Sequence, residues 1–156
     1  MTQPLYSFDT SALIKGRRDL LLPDVFPTFW ANIEQSIQLG HVRAVDEVDI
    51  ELSKRDDETR AWAKSQSDLF VPLDEDIQAG TMRVLASHPK LAAGGGSRNR
   101  ADAFVIGFAH AREGVVVTEE TMSNRLEKPR IPDACRALGI RCLTLVQFAQ
   151  EQGWQF

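Results

Sequence analysis

The sequence predicts an α/β protein in which helices cover both faces of a mostly parallel central sheet, a three-layer α/β/α arrangement. Short apolar, β-prone runs alternate with helix-like stretches along the whole chain, and this order typically produces parallel strands joined by helices. One run, Val115-Val116-Val117, has no polar member, which is typical of a strand buried on both faces. The chain of 156 residues has no evident linker, so it has the length of one domain.

The predicted strands are short and end at polar or turn-forming residues. The first ends at Asp9-Thr10-Ser11, a group that favours a turn and then the capped start of a helix. Pro72 follows the third and ends it, because proline cannot donate a backbone hydrogen bond to a sheet. The predicted strands are residues 5–8, 41–45, 69–71, 115–117 and 140–143.

The predicted helices follow from apolar spacing and from their terminal residues. Between Pro27, which favours a first turn, and Gly40, which favours an end, Phe29, Ile33 and Ile37 recur on one helical face. The other predicted helices begin near Ser11 and at residue 46 or 47, or span residues 56–66, 74–88, 101–113, 132–138 and 146–152.

Residues 74–100 combine a predicted helix with the one obvious loop. Ile77, Met82 and Leu85 form the expected inner face of the helix. Residues 89–100 are predicted to be a loop because they contain three consecutive glycines and several polar residues.

The composition indicates a folded protein of the reducing cytoplasm. Apolar residues make up 43% and charged residues 26%, which is typical of globular domains rather than disordered chains. Neither a secretory signal nor an apolar stretch of membrane-spanning length is evident, so we expect no membrane association. Cys135 and Cys142 match no zinc-binding spacing and suit a cytoplasmic location. The net charge of −4 does not favour nonspecific nucleic-acid binding by the whole surface, although a local basic surface remains compatible with it.

Carboxylates recur where the predicted strands end. The carboxyl ends of parallel strands share one edge of a sheet, where ligands usually bind, so these acids are expected to converge. Like charges packed together are unfavourable unless a cation is present, and oxygen ligands suit Mg²⁺ or Mn²⁺. Such ions promote hydrolysis of phosphodiesters. The acids are Asp9, Glu47, Glu51, Asp102, Glu119 and Glu120.

Each of these residues also has an ordinary structural explanation. Asp9 can cap the following helix, and Asp102 can be a first-turn acid favoured by the helix dipole. The glutamates can be solvated surface residues. Ser11 and Thr118 can hold a carboxylate or a metal-bound water, or can form turn and cap hydrogen bonds only. The joint placement of the acids, rather than any one of them, favours a site.

Four segments, in order and with similar spacing, resemble the PIN-domain superfamily of metal-dependent ribonucleases, which includes the VapC-type toxins of bacterial toxin–antitoxin systems. The C-terminal segments KPRIPDAC (128–135) and GWQF (153–156) resemble a less characterised branch of that superfamily. The four segments are FDTSALI (8–14), VDIEL (48–52), RADAFVI (100–106) and VVTEE (116–120).

The resemblance implies one PIN-like domain over residues 1–156 and assigns its acidic cluster. The catalytic acids would be Asp9, Glu51, Asp102 and Glu120, with Asp9, Asp102 and Glu120 as ligands of Mg²⁺ or Mn²⁺. The fourth acid of the family is usually aspartate, and Glu120 is one methylene longer. This departure leaves open whether activity is retained.

Several assignments remain open at this point. Glu119 competes with Glu120 for the fourth position, and Glu47 competes with Glu51 from the same helical face. Asp133 is either an extra acid near the site or the cap of a short helix.

Two arginines precede the third motif. Arg98 and Arg100 can grip an RNA phosphate, because guanidinium offers a forked set of donors. The alternative is a solvated basic loop.

By resemblance, we expect a metal-dependent endoribonuclease that acts as the toxin of a toxin–antitoxin pair. Its partners would be an RNA substrate and a cognate antitoxin protein. Dimerisation is common in the superfamily, and the sequence leaves the oligomeric state open. One alternative is a catalytically weak or inactive PIN-like module that acts through protein or RNA binding, and another is an enzyme with a DNA substrate.

Overall fold

The centre of the fold is a five-stranded sheet in which every strand pairing is parallel. The computed structural model describes residues 3–93 and 101–156. The strand order is β3-β2-β1-β4-β5, so the first strand is central. The strands are β1 (Tyr6–Phe8), β2 (Val42–Val45), β3 (Phe70–Val71), β4 (Val115–Val117) and β5 (Cys142–Leu143).

Helices fill the connections between the strands. A π-helical turn, Gly16–Leu20, directly continues the first helix. The helices are α1 (Thr10–Lys15), α2 (Pro27–Gln38), α3 (Asp46–Arg55), α4 (Asp57–Ser65), α5 (Glu75–Ser87), α6 (Lys90–Ala93), α7 (Asp102–Ala111), α8 (Ile131–Leu138) and α9 (Leu145–Gln152). Within the described ranges, no helix combines the length and apolarity that crossing a membrane requires.

Alternate residues of β1 face the two layers of helices. Tyr6 and Phe8 make edge-to-face contacts with Phe148 of α9, at centroid distances of 4.7 and 5.3 Å. Ser7 points the other way and donates a hydrogen bond to the Val105 carbonyl of α7 at 2.9 Å. The predicted three-layer α/β/α architecture is therefore confirmed.

The order of strands creates a switch point beside β1. The chain builds β2 and β3 on one side of β1 and then crosses to build β4 and β5 on the other. Connections that leave a parallel sheet in opposite directions open a crevice at the carboxyl ends of the strands. In this protein the crevice lies between β1, which ends at Phe8, and β4, which ends at Val117.

Two expectations for residues 74–100 are wrong. Met82 is 67% exposed and does not form the inner face of α5, which buries Ile77, Gly80, Thr81 and Val84 instead. The predicted loop from residue 89 contains a helix, α6. Arg98 and Arg100 lie outside the described residues.

Candidate metal centre

Asp9 is placed at the switch point by the end of β1. Its backbone N–H donates to the Val117 carbonyl of β4 at 2.9 Å, which continues the strand pairing by one residue. Its side chain also accepts a hydrogen bond from the Ser11 N–H at 3.4 Å and so caps α1. The ordinary cap interaction and the predicted site position are thus both present in one residue, which is only 1% exposed.

Asp9, Asp102 and Glu120 converge although the sequence separates them widely. One carboxylate oxygen from each of the three lies within 4.8 Å of the others. We call these three residues the acidic trio. Asp102 contributes from the first turn of α7, and Glu120 from the connection that follows β4. Three buried or half-buried carboxylates this close together can form a metal site.

Two hydroxyl groups hold one oxygen of Asp9. Oδ2 accepts from Ser11 Oγ at 2.6 Å and from Thr118 Oγ1 at 2.9 Å. The same hydroxyls accept from the backbone N–H groups of Glu119 and Glu120, at 3.0 and 3.1 Å. Each hydroxyl has one proton to donate, and both hydroxyls donate it to Asp9. Because the same hydroxyls accept from the chain after β4, they also connect Asp9, at the end of β1, to that segment.

The carboxylate of Asp102 has no protein donor in the described part of the chain. The residue is 2% exposed, and no hydrogen bond from residues 3–93 or 101–156 reaches its oxygens. Burial and the neighbouring carboxylates of Asp9 and Glu120 disfavour a negative charge here unless a proton or a cation compensates it. The crowding of these carboxylates is the clearest indication that the trio fits a cation.

Glu120 is anchored through one of its two oxygens. Oε1 accepts from the Ile131 N–H at the start of α8, at 3.3 Å. The extra methylene of glutamate therefore lets the carboxylate reach both α8 and the trio. The other oxygen has no donor among the described residues.

Glu51 lies beside the trio but outside the group of three oxygens. It is 3% exposed and accepts from Thr10 Oγ1 at 3.3 Å. The charge of Asp9 contributes to the raised pKa of Glu51, and the charge of Glu51 contributes, after burial and the charges of Asp9 and Glu120, to the raised pKa of Asp102. Glu47, one turn earlier on α3, is half-buried and is not part of the acidic trio.

The other two candidate acids have structural partners elsewhere. Glu119 accepts from the Leu145 N–H through Oε2 at 2.7 Å, at the first residue of α9. Asp133 accepts from the backbone N–H groups of Ser123, Asn124 and Arg130, each at 2.9 Å, so it closes the loop before α8. Burial raises the pKa of Asp133, but these donors outweigh it and the net shift is downward.

The electrostatics of the centre favour protonation when no cation is bound. Burial, and then the Asp9 carboxylate, raise the pKa of Glu51 to about 7. Burial is also the largest cause that raises the pKa of Asp102, followed by the charges of Asp9 and Glu120. The pKa of Glu120 is raised by burial and Asp9, against weaker opposition from the Ile131 N–H. A divalent cation would replace these protons.

A cleft of about 1250 Å³ opens over this centre. Ser11, Glu51, Glu119 and Glu120 line it, and a cationic rim surrounds them. The rim consists of Lys15, Lys54, Arg55, Lys90, Arg125, Lys128 and Arg130.

Most residues of this rim, and the role of Thr10, were not predicted from the sequence. Arg55 lies four residues after Glu51, so helical spacing places it on the face of the second acidic motif. Thr10 adjoins Asp9, but nothing in the sequence indicates that it contacts Glu51. The remaining cations are scattered, and only the folded chain brings them to one cleft.

Fold and centre together define an α/β protein with buried carboxylates at the switch point of a parallel sheet. A family profile described as "Domain of unknown function (DUF4411)" matches residues 6–156. The chain therefore belongs to that family. No curated protein matches the sequence.

Proposed function

We propose that this protein is a PIN-like, metal-dependent endoribonuclease that hydrolyses RNA phosphodiester bonds. The observation that carries the proposal is the convergence of Asp9, Asp102 and Glu120, with oxygens within 4.8 Å of one another. Their position beyond the carboxyl ends of β1 and β4 is the usual place for an active site in an open parallel sheet. The four sequence motifs that resemble PIN domains supply the reaction and the substrate class.

The chain's own residues would hold and orient the ion. Asp9, Asp102 and Glu120 are the proposed ligands of Mg²⁺ or Mn²⁺, and Glu51 adds a fourth negative charge beside them. When bound, the ion polarises a phosphoryl oxygen and makes water nucleophilic at neutral pH. Ser11 and Thr118 fix Oδ2 of Asp9, which would leave Oδ1 available to hold the ion.

The biological setting rests on the resemblance. We propose that the protein is the toxin of a toxin–antitoxin pair and that a cognate antitoxin protein covers the cleft. The two free cysteines, Cys135 and Cys142, are compatible with a cytoplasmic location.

A cleavage assay with matched variants tests the proposal. Purified protein is incubated with single-stranded RNA, structured RNA and DNA, in Mg²⁺, in Mn²⁺ and in EDTA. We expect cleavage of RNA that needs the metal and that Asp9→Asn or Asp102→Asn abolishes while circular dichroism shows a folded protein. Glu47→Gln, which changes an acid on the same face as Glu51, is the control and should remain active.

The outcomes distinguish the candidate functions. Cleavage of DNA in preference to RNA would assign a different substrate. Tight metal binding without cleavage of any substrate would favour a non-catalytic PIN-like module, for which the anchoring of Glu120 to α8 is the motivating observation. Intact RNA together with no metal binding would refute the enzyme proposal.

A further inference from the structure

The cleft over the acidic trio has two basic walls made by different parts of the chain. One wall comes from the ends of α1 and α3 and from α6. The other comes from the connection between β4 and α8. The first wall carries Lys15, Lys54, Arg55 and Lys90, and the second carries Arg125, Lys128 and Arg130.

Most of these cations form no ion pair within the chain. Among the described residues, only Arg125 of the seven lies within ion-pair distance of an acid, Glu127 at 2.9 Å. All seven side chains belong to exposed residues. They are therefore available to a ligand that enters the cleft.

The charge of the cleft calls for an anion even before an ion binds, because the seven cations that line it outnumber its four lining acids, Glu51, Glu119, Glu120 and Glu127. Lys15 and Arg55 line the same cleft as Glu51 and Glu120, so the basic walls and the acidic floor face one space. A divalent ion on the floor would neutralise part of the carboxylate charge. The excess positive charge of the walls would then be larger, and a chain of phosphates can compensate it along the cleft.

The lining residues indicate how such a ligand is recognised. The cleft volume of about 1250 Å³ exceeds the range of roughly 300–1,000 Å³ that is typical of small-molecule pockets. No aromatic side chain lines it in the described part of the protein, so it offers no platform on which bases can stack. Glu51 and Glu120 line the cleft, whereas Asp9 and Asp102 are buried. A flexible strand can reach such recessed groups more easily than a stiff duplex.

We propose that the two walls grip the sugar–phosphate backbone of a single-stranded polynucleotide, and that the β4–α8 connection supplies one of the two grips. The nature of the occupant rests on the proposed function, whereas the location of the grips rests on the cleft. Binding would then depend on charge rather than on base sequence.

Fluorescence anisotropy in EDTA tests this proposal without requiring metal binding or cleavage. Labelled single-stranded RNA, single-stranded DNA of the same sequence, duplex RNA and a poly-glutamate peptide are titrated at several salt concentrations. We expect both single strands to bind with an affinity that falls as salt rises, and we expect weaker binding of the duplex and the peptide. Tighter binding of RNA than of DNA would identify RNA as the natural ligand and would leave the proposed wall contacts unchanged.

One variant in each wall locates the contacts. Lys54→Ala and Lys128→Ala should each weaken binding by about fivefold at 0.1 M salt, and each should reduce the slope of log K against log salt by about 0.7. Lys64→Ala is the matched control, because Lys64 pairs with Asp49 on the surface at 3.3 Å and does not line the cleft. This control should bind like the wild type.

The failure of this proposal can be told apart from the failure of the proposed function. If the wild type cleaves RNA but the wall variants bind and cleave normally, the proposed wall contacts are refuted and the nuclease proposal is supported. If the wild type never cleaves but the wall variants lose salt-dependent binding, the wall contacts are supported and the nuclease proposal is refuted. Absence of binding in EDTA, or equal binding of the peptide, would also overturn the inference.

Discussion

At the scale of single residues, the two oxygens of Asp9 have different environments. Oδ2 receives three donors, from the Ser11 backbone and from the hydroxyls of Ser11 and Thr118. Oδ1 receives none from the described residues and is therefore the oxygen available to an ion. Outer partners of this kind fix a ligand before the metal arrives.

The Thr118 hydroxyl can be removed with little change in shape. We predict that Thr118→Val lowers the free energy of unfolding by about 1–3 kcal/mol, because the buried Asp9 loses a donor and the Glu120 N–H loses its acceptor. Metal affinity should fall by about 10- to 100-fold. Urea unfolding and Mn²⁺ titration measure the two effects.

Thr28→Val is the control for this variant, since Thr28 is exposed in the first turn of α2. It should change stability by less than about 0.5 kcal/mol. Wild-type metal affinity in Thr118→Val would contradict the role given to the hydroxyl.

At the scale of elements, α5 and α7 pack against each other through glycines. A Cβ built on Gly107 would lie 2.3 Å from Thr81 Oγ1 and 2.6 Å from the Thr81 backbone nitrogen. A Cβ on Gly80 would lie 2.5 Å from the Gly107 carbonyl oxygen. Because Asp102 begins α7, this close contact also sets the position of one member of the acidic trio.

We predict that Gly107→Ala destabilises the protein by about 1–3 kcal/mol or more, because backbone atoms cannot move aside as a side chain can. The same change at an open helical position stabilises by about 1 kcal/mol, so the sign is informative. Thermal unfolding measures the effect. Ala79→Ser, which adds one atom at an exposed position beside Gly80, should be nearly neutral; a stabilised Gly107→Ala would contradict the packing.

Neighbouring arginines on the π-helical turn give a second test at this scale. The guanidinium carbon of Arg17 lies 4.8 Å from the Trp30 ring centroid and 4.4 Å from that of Trp62. Arg18 has a 58% exposed side chain and pairs with Asp56 at only 3.7 Å.

We predict that Arg17→Ala costs about 1–2 kcal/mol of stability, because two aromatic faces lose a partly buried cation. Arg18→Ala should cost less than about 1 kcal/mol, as exposed ion pairs usually do. If urea unfolding shows that Arg17→Ala and Arg18→Ala lose the same stability, the stacking of Arg17 is not the contact that holds this turn.

The error at Met82 shows what the apolar pattern of α5 could not reveal. The buried positions Ile77, Gly80, Thr81 and Val84 have helical spacing, but two of them are small or polar. Gly80 is buried because α7 approaches closely, and Thr81 satisfies its hydroxyl on the Ile77 carbonyl at 2.8 Å. Hydrophobicity alone therefore assigned the face to Met82.

At the scale of the whole molecule, the sequence was sufficient for the sheet but not for the cleft. The strands could be predicted because apolar runs ended at polar residues, and the parallel order placed their carboxyl ends at one edge. Whether Glu47 or Glu51 faces the centre depends on the rotation of α3 against β1. The basic rim depends on tertiary contacts between distant segments, which no local pattern encodes.

The acidic centre also affects the pH dependence of stability. The pKa of Glu51 is raised to about 7, and those of Asp102 and Glu120 are raised too, so without metal the folded state binds more protons than the unfolded one. The contribution of these groups to stability is present at acidic pH and is lost as pH rises through the folded-state values.

We predict that metal-free Asp102→Asn gains stability relative to the wild type as pH rises from about 5 to about 8, because it lacks one buried ionisable acid. Urea unfolding in EDTA across this range measures the difference. Glu47→Gln should keep the wild-type pH dependence. If the difference in free energy of unfolding between Asp102→Asn and the wild type stays constant with pH, or changes in the opposite direction, burial does not disfavour the charge of Asp102.

The most direct test of the metal centre is a crystal of the protein soaked in Mn²⁺, with diffraction recorded at the manganese absorption edge. The account predicts an anomalous peak bounded by Asp9, Asp102 and Glu120, and no such peak in Asp102→Asn. A fully soaked wild-type crystal without a peak at the trio, or with manganese bound only elsewhere, would contradict it.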